Sequence, residues 1–515
     1  MQHSSIYKRI VTLALAAVMT VSAAVCGVSL NMQGAYAAAE AIITLDVKNG
    51  EVIGEKLNAA LLEAAAKADD KNPVTVRVPK GTYILDRTLH IYSNTVLDAT
   101  GCTIVSDETR HNFFILGTND SYNGIDKYNS SEYSSGYNSV RNVTVRGGVW
   151  VGNDSNTNTP VRLAHAKNIS FIGLTLKGSS MSTHQVEAAG IDGFFVRGCT
   201  FRDFTPLSNM KGHFEAIQLD VPINTAIYNS SYHDGTPNKN VEIMGCNFIN
   251  VSRGIGTHTM LVGAYHSNIR IIGNTFTNVQ EEAIVALNYL DCTISGNQIT
   301  NAGGGILFES AKFKPSDGEK KISSMHTTLF DGQQDYESDI IYDMKSTITN
   351  NVINIGYSPL CSRMIGIRIH GLELSEQYVG GDDMPLPVTN YYISGVKVTN
   401  NKIATAGGGI LVDDARNITL SGNMVIQKDV SDLDESRDKY DGIYITSGCK
   451  SISISGGSVT GFTRYGILVS GESSVKGISS CNISSCGSHG IYFANSSSAK
   501  AFASEDETAA MESTL

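Results

Sequence analysis

Two short segments of the chain carry residue types suited to acid–base chemistry. HFEAIQLDVP (213–222) places Glu215 and Asp220 at either end of Ala216-Ile217-Gln218-Leu219, which reads as a half-buried strand. About forty residues on, SRGIGTHT (252–259) repeats the spacing with Arg253 and His258. On neighbouring strands, Glu215 would stand beside Arg253 and Asp220 beside His258. Crowded carboxyls split their pKa values and so supply an acid and a base at one pH. Glycoside hydrolysis needs such a pair across the scissile bond. The candidates are Asp220 with Glu187 or Glu215, with His258 orienting Asp220 or relaying its proton and Arg253 holding a substrate oxygen. Elimination on a uronic acid sugar is the alternative, with Arg253 neutralising the carboxylate, His258 as base and Tyr232 or His233 as donor. It asks for more cations than this stretch offers, so hydrolysis is preferred.

These segments belong to a repeat. A first strand unit recurs as IRIIGNTF (269–276), CTISGNQI (292–299), STITNNVI (346–353), VKVTNNKI (396–403) and ITLSGNMV (418–425). Each is followed by a second unit, such as EEAIVAL (281–287), GGGILFE (303–309), MIGIRIH (364–370) and GGGILVD (407–413). Alternation of period two inside each unit makes them strands. Strands at this spacing, with no helical pattern between them, fit coils of parallel strands stacked at ~4.8 Å. Asn274, Asn297, Asn351, Asn401 and Asn423 recur at one position and predict a stacked, hydrogen-bonded ladder. Cys199 and Cys246 take that position in earlier coils, and two buried free thiols are preferred to a bridge.

Aligning the second units on Val186, Ile217, Ile255, Ile284, Ile306, Ile367, Ile410, Ile443 and Ile467 points these residues inward. The next position then faces outward and reads Glu187, Gln218, Gly256, Val285, Leu307, Arg368 and Leu411. The third position reads Ala189, Asp220, His258, Leu287, Glu309, His370 and Asp413. Two before the aliphatic stand His184, Glu215, Arg253 and Glu282. Charge is therefore concentrated on a few coils, on a ribbon expected to be exposed. The bland reading is that adjacent opposite charges merely stabilise a solvated face. Long insertions at 221–240, 310–345 and 371–392 leave one edge and predict a wall beside that face. Tyr232, His233 and Asp234 in the first of them, with Gln218 and Glu282 on the sheet, are substrate-binding candidates, because tyrosine suits sugar rings.

The first residues, 1–37, read as a secretory signal: Lys8 and Arg9, an apolar run, then Ala35-Tyr36-Ala37. A membrane anchor or a lipoprotein site at Cys26 fits less well. Cleavage takes the net charge from −11 to −13 (−11 − 2), which argues against nucleic acid as a partner. The eight remaining cysteines show no metal spacing. GEKLNAALLEAAAKADD (54–70) reads as a short amphipathic helix ahead of VTVRVPKGTYIL and LHIYSNTVLDATGCTI.

That opening and the strand repeats resemble the secreted polysaccharide-active β-helices of the pectate lyase and polygalacturonase type, over roughly residues 42 to 495. The resemblance implies an all-β fold, a single-stranded right-handed parallel β-helix with an N-terminal capping helix. The implied organisation is signal 1–37, solenoid 38–495 and a disordered tail 496–515. The chain lacks the paired-Asp, Gly-His-Gly and Arg-x-Lys constellation of polygalacturonases and the calcium carboxylates of pectate lyases. No cofactor is expected, and calcium has no clustered Asp to hold it, since DVSDLDESRDKYD (429–441) reads as a solvated loop. A polysaccharide or glycan partner, a secreted or cell-surface bacterial location and no membrane contact after signal cleavage follow. A non-catalytic glycan-binding adhesin stays open beside hydrolase and lyase.

Overall fold

A computed structural model of the chain describes residues 41–107, 111–116, 135–152, 159–180, 183–205, 214–222, 234–314, 327–328, 340–356, 364–375, 391–428 and 440–494. Residues 1–40, where the signal is expected, the tail 496–515, Tyr232, His233 and most of 429–441 lie outside them.

The described chain is a right-handed parallel β-helix, as the period-two repeats predict. A 14-stranded sheet runs from Ala41–Thr44 to Val475–Ser479, and a 24-stranded sheet holds the remaining long strands, every pairing parallel. The larger sheet contains two columns of strands. They merge because Thr275–Leu287 and Gln298–Lys314 each run through both columns without a break. Of the candidate residues, Glu187, Glu215, Gln218, Asp220, Arg253 and Glu282 lie on the second of these columns.

Register is set by the aliphatic stack. Val186 pairs with Ile217, Ile217 with Ile255, Ile255 with Ile284, Ile284 with Ile306, and so on through Ile367, Ile410, Ile443 and Ile467. All are buried. A slip by one residue would turn each of them outward, so burial of one face fixes the pairing. Phe201, Phe248 and Phe276 stack inside at 5.2 and 4.7 Å between ring centroids. At the corner before the aliphatic, the coils from Ile217 onward carry a small residue: Ala216, Gly254, Ala283, Gly305, Gly366, Gly409. A Cβ on Gly254 would run into the Phe276 ring, and one on Gly366 into Ile403. The small residue lets the backbone turn against the core, and it throws the residue before it outward.

The asparagine ladder forms as predicted. Asn274 Nδ2 donates to Asn297 Oδ1 at 3.0 Å, Asn297 to Asn351 at 2.9 Å, Asn351 to Asn401 at 2.9 Å and Asn401 to Asn423 at 3.0 Å. Cys199 and Cys246 extend it as buried free thiols, with Cys246 N donating to Asn274 Oδ1 at 2.9 Å. The helix Gly54–Lys67 buries Leu57, Ala60, Leu61 and Ala64, and Asn58 ties it to the first coil through Thr88 O and His90 N, both at 2.9 Å.

Candidate active site

The site is built on the strands Val186–Ala189, Glu215–Asp220, Arg253–Gly256 and Thr275–Leu287. Glu187 pairs in register with Gln218, and Glu215 with Arg253. Glu215, Arg253 and Glu282 point outward because the small corner residues after them point in.

The expectation of an exposed ribbon is corrected by burial. Glu215 and Asp220 are 0% exposed, Gln218 2% and Glu187 3%. Side chains from adjacent coils close over one another, and the chain after Gly256 folds back against them. Solvent reaches a rim instead: Arg253, Glu282, Arg162 and His258 are partly exposed, with His184 buried just inside them. The floor is carboxylate, and the rim carries the guanidinium groups of Arg253 and Arg162.

The pairing of Asp220 with His258 is also corrected. Strand pairing between these coils ends at Gln218–Gly256. Thr259 then reaches Asp220, its hydroxyl donating to Oδ2 at 3.5 Å. The His258 ring stands 6.4 Å from that of His184, and its charge acts on Glu215. His184 Nδ1 lies 3.1 Å from Glu215 Oε2. Arg253 joins three carboxylates, at 3.4 Å from Glu215, 2.8 Å from Glu281 and 3.4 Å from Glu282. Glu281 reaches it because the register shifts between Val279 and Glu282.

The two central carboxyls are driven apart. Burial pushes Asp220 well above the ordinary carboxylate range, and the charges of Glu187 and Glu215 add to it; hydrogen bonds from Val221 N–H and Thr259 oppose this and lose. Burial acts on Glu215 in the same sense, yet His184, Arg253 and His258 outweigh it and hold Glu215 down to about 2. The proton is thus favoured on Asp220 and the negative charge on Glu215. Gln218 Nε2 donates to Asp220 Oδ2 at 2.7 Å, leaving Gln218 Oε1 buried with no hydrogen-bond partner. Such an oxygen costs free energy until a hydroxyl or water reaches it. Glu187 is held at 3.0 Å by Arg162 Nε.

Asp234 serves a different end. Its carboxylate accepts from Gly136 N at 2.7 Å and Thr236 N at 3.0 Å, tying two loops together where Tyr137 donates to Pro237 O at 2.9 Å. His266 and Trp150 are buried. Burial alone holds His266 down to about 3, which keeps it neutral.

A second cluster continues the outward columns. His370 Nδ1 meets Glu309 Oε2 at 2.7 Å, and Arg368 meets Asp413 Oδ2 at 2.7 Å. Between the clusters Gly304 has no side chain to offer, and a slot opens lined by Glu282, Ile306, Leu307, Ile365 and Arg368. The in-register columns contained these residues, but their chemistry is visible only once the side chains meet. Among the described residues no group of three or more His, Cys, Asp or Glu could hold a metal ion. No described helix is long and apolar enough to cross a membrane.

The family model for the right-handed β-helix region matches residues 389–502. Among solved structures, the chain is similar to PfbA, a surface adhesin of Streptococcus pneumoniae, at 17% identity and TM-score 0.53, over 89% of this chain and 93% of that one. It is similar to a double mutant of the tailspike protein of E. coli bacteriophage HK620 at 12% identity and TM-score 0.53, over 88% and 80%. Another mutant of that tailspike, in complex with a pentasaccharide, matches at 12% identity and TM-score 0.51, over 84% and 69%. At such identities the likeness establishes the fold. No curated protein sequence matches the chain.

Proposed function

We propose that this right-handed parallel β-helix protein is a secreted, glycan-cleaving hydrolase acting at the cell surface or outside the cell. The observation that carries the reading is the complete burial of Asp220 beside the carboxylates of Glu187 and Glu215 on the same face, which pushes its pKa up. Asp220 donates a proton to the leaving oxygen, as a general acid held neutral by burial does. Glu187 is the better base. Glu215 is committed to His184 and Arg253, whereas Glu187 has a single cation among the described residues, Arg162.

Glu187 lies one coil before Asp220 and two residues back along the strand, since Ala189 is the residue that pairs with Asp220. Strand spacing and rise put their Cα atoms about 8 Å apart. Carboxyls at a similar separation would admit a water between them and invert the anomeric carbon. Gln218 Oε1 accepts from a sugar hydroxyl, and the Arg253 rim binds sugar oxygens. The tailspike crystallised with a pentasaccharide supports a sugar chain as the ligand of such a fold.

One observation favours a second reading, glycan binding without cleavage. Asp220 and Glu215 are wholly buried, so chemistry requires the rim to part. The experiment is a panel of polysaccharides scored for reducing ends, ultraviolet absorbance of unsaturated products, and binding. New reducing ends without absorbance, with the product anomer inverted by NMR, are expected. Absorbance would make the protein a lyase, and binding alone would make it an adhesin. Full turnover by Asp220→Asn would remove the assignment.

A further inference from the structure

We infer that the protein has a second carbohydrate site, on the 14-stranded sheet, that takes an anionic sugar unit. It is separate from the carboxylate site and does not rest on it. An open cleft of about 470 Å³ is lined by Tyr342, Tyr392, Ser394, Arg416, Asn417 and Lys450. Each comes from the residues just before or at the start of successive strands, Asp343–Thr349, Ser394–Thr399, Thr419–Ser421 and Ile452–Ser455. Its size matches a sugar unit or two.

Three observations point to the ligand. First, Arg416 and Lys450 pair directly across neighbouring parallel strands. Like charges in register repel, and neither side chain has an ion-pair partner among the described residues. The nearest carboxylate along the column, Asp343, stands on the far side of Ser394. An anion between the two cations would relieve the repulsion. Second, the Arg416 guanidinium lies 3.8 Å over the Tyr392 ring. That stacking fixes its plane and leaves its N–H groups free to grip a carboxylate or sulfate in the fork geometry they favour. Third, Tyr342 is 46% exposed, an aromatic face open to solvent at the cleft wall. A sugar's C–H face can stack on it. Ser394 and Asn417 add hydroxyl and amide groups for sugar hydroxyls. An inorganic anion would use the cations but not the ring; a neutral sugar would use the ring but not the cations.

The test is calorimetry on the full chain carrying Asp220→Asn, which stops turnover at the other site, so that any heat of binding there is common to all the variants compared. The probes are tri-galacturonic acid, neutral galactotriose, a sulfated galactose disaccharide and inorganic sulfate. The acidic sugars are expected to bind, the stronger of the two showing whether carboxylate or sulfate is preferred. Galactotriose should bind at least tenfold more weakly. Arg416→Gln with Lys450→Gln should cost tenfold or more, and Tyr342→Ala should weaken sugars but not sulfate. All three side chains are exposed or at the surface, so folding is not at stake. Unchanged affinity in Arg416→Gln with Lys450→Gln overturns the proposal. So does a Tyr342→Ala protein with undiminished sugar binding, which would leave a simple anion site.

Discussion

Replacing Glu215 by Gln keeps the shape of the side chain and removes its charge. The wild-type carboxyl is held at about 2 against an ordinary 4.5, despite complete burial. At about 1.4 kcal/mol per pH unit, that depression corresponds to about 3 kcal/mol of stability. A folded pKa below the unfolded one contributes stability that is fully present above pH 4.5. It drains away as pH falls from 4.5 through 2. Glu215→Gln should therefore unfold about 3 kcal/mol more easily than wild type at pH 7, with the gap closing in acid. Trp150 is the single tryptophan and is fully buried, so its fluorescence follows guanidinium unfolding without labelling. A solenoid can unfold in sections, so exchange of the Ile217 and Ile255 amides supplies the local reading. A gap that stays constant from pH 7 to pH 2 would refute the reasoning, because Glu215 would then not be an ionised partner of His184 and Arg253. A Gln variant as stable as wild type at pH 7 would refute it equally.

Asp220→Asn should lower turnover by about 10²–10⁴-fold while leaving glycan binding intact, as loss of a general acid does. In wild type, turnover should fall as pH rises through the elevated Asp220 value, measured by reducing-end release across pH. Gly254→Ala drives a methyl into Phe276 and should cost about 1–3 kcal/mol in denaturant unfolding. Gly477→Ala, where a Cβ meets nothing within 4 Å, is the silent control. Asn351→Ala removes four hydrogen bonds, two into its oxygen from Asn297 and two from its amide to Ile294 O and Asn401. At about 1 kcal/mol each, the loss is about 4 kcal/mol, read as a lower unfolding midpoint.

The coil register was legible because the Val186 to Ile467 stack can align in one way only without exposing its aliphatics. The pairing of Glu215 with Arg253 follows from that register. Four features of the site were not legible. Counting along an extended strand brings His258 to Asp220, but the chain leaves the sheet after Gly256 and Thr259 arrives instead. Glu281 joins Arg253 through a register shift that periodicity does not announce. Arg162, the partner of Glu187, sits in VRLAHA, a unit too short on glycine and isoleucine to stand out as a strand. Burial of the outward face was equally hidden. Alternation says which way a side chain points and nothing about what lies over it.

The buried asparagines are all oriented alike. In every rung from Asn274 to Asn401 the amide nitrogen faces the following coil and the carbonyl oxygen the preceding one. Rotating a single amide by half a turn would set two oxygens against each other on one side and two NH₂ groups on the other. No member can therefore reverse alone, and the row behaves as one aligned dipole running the length of five coils.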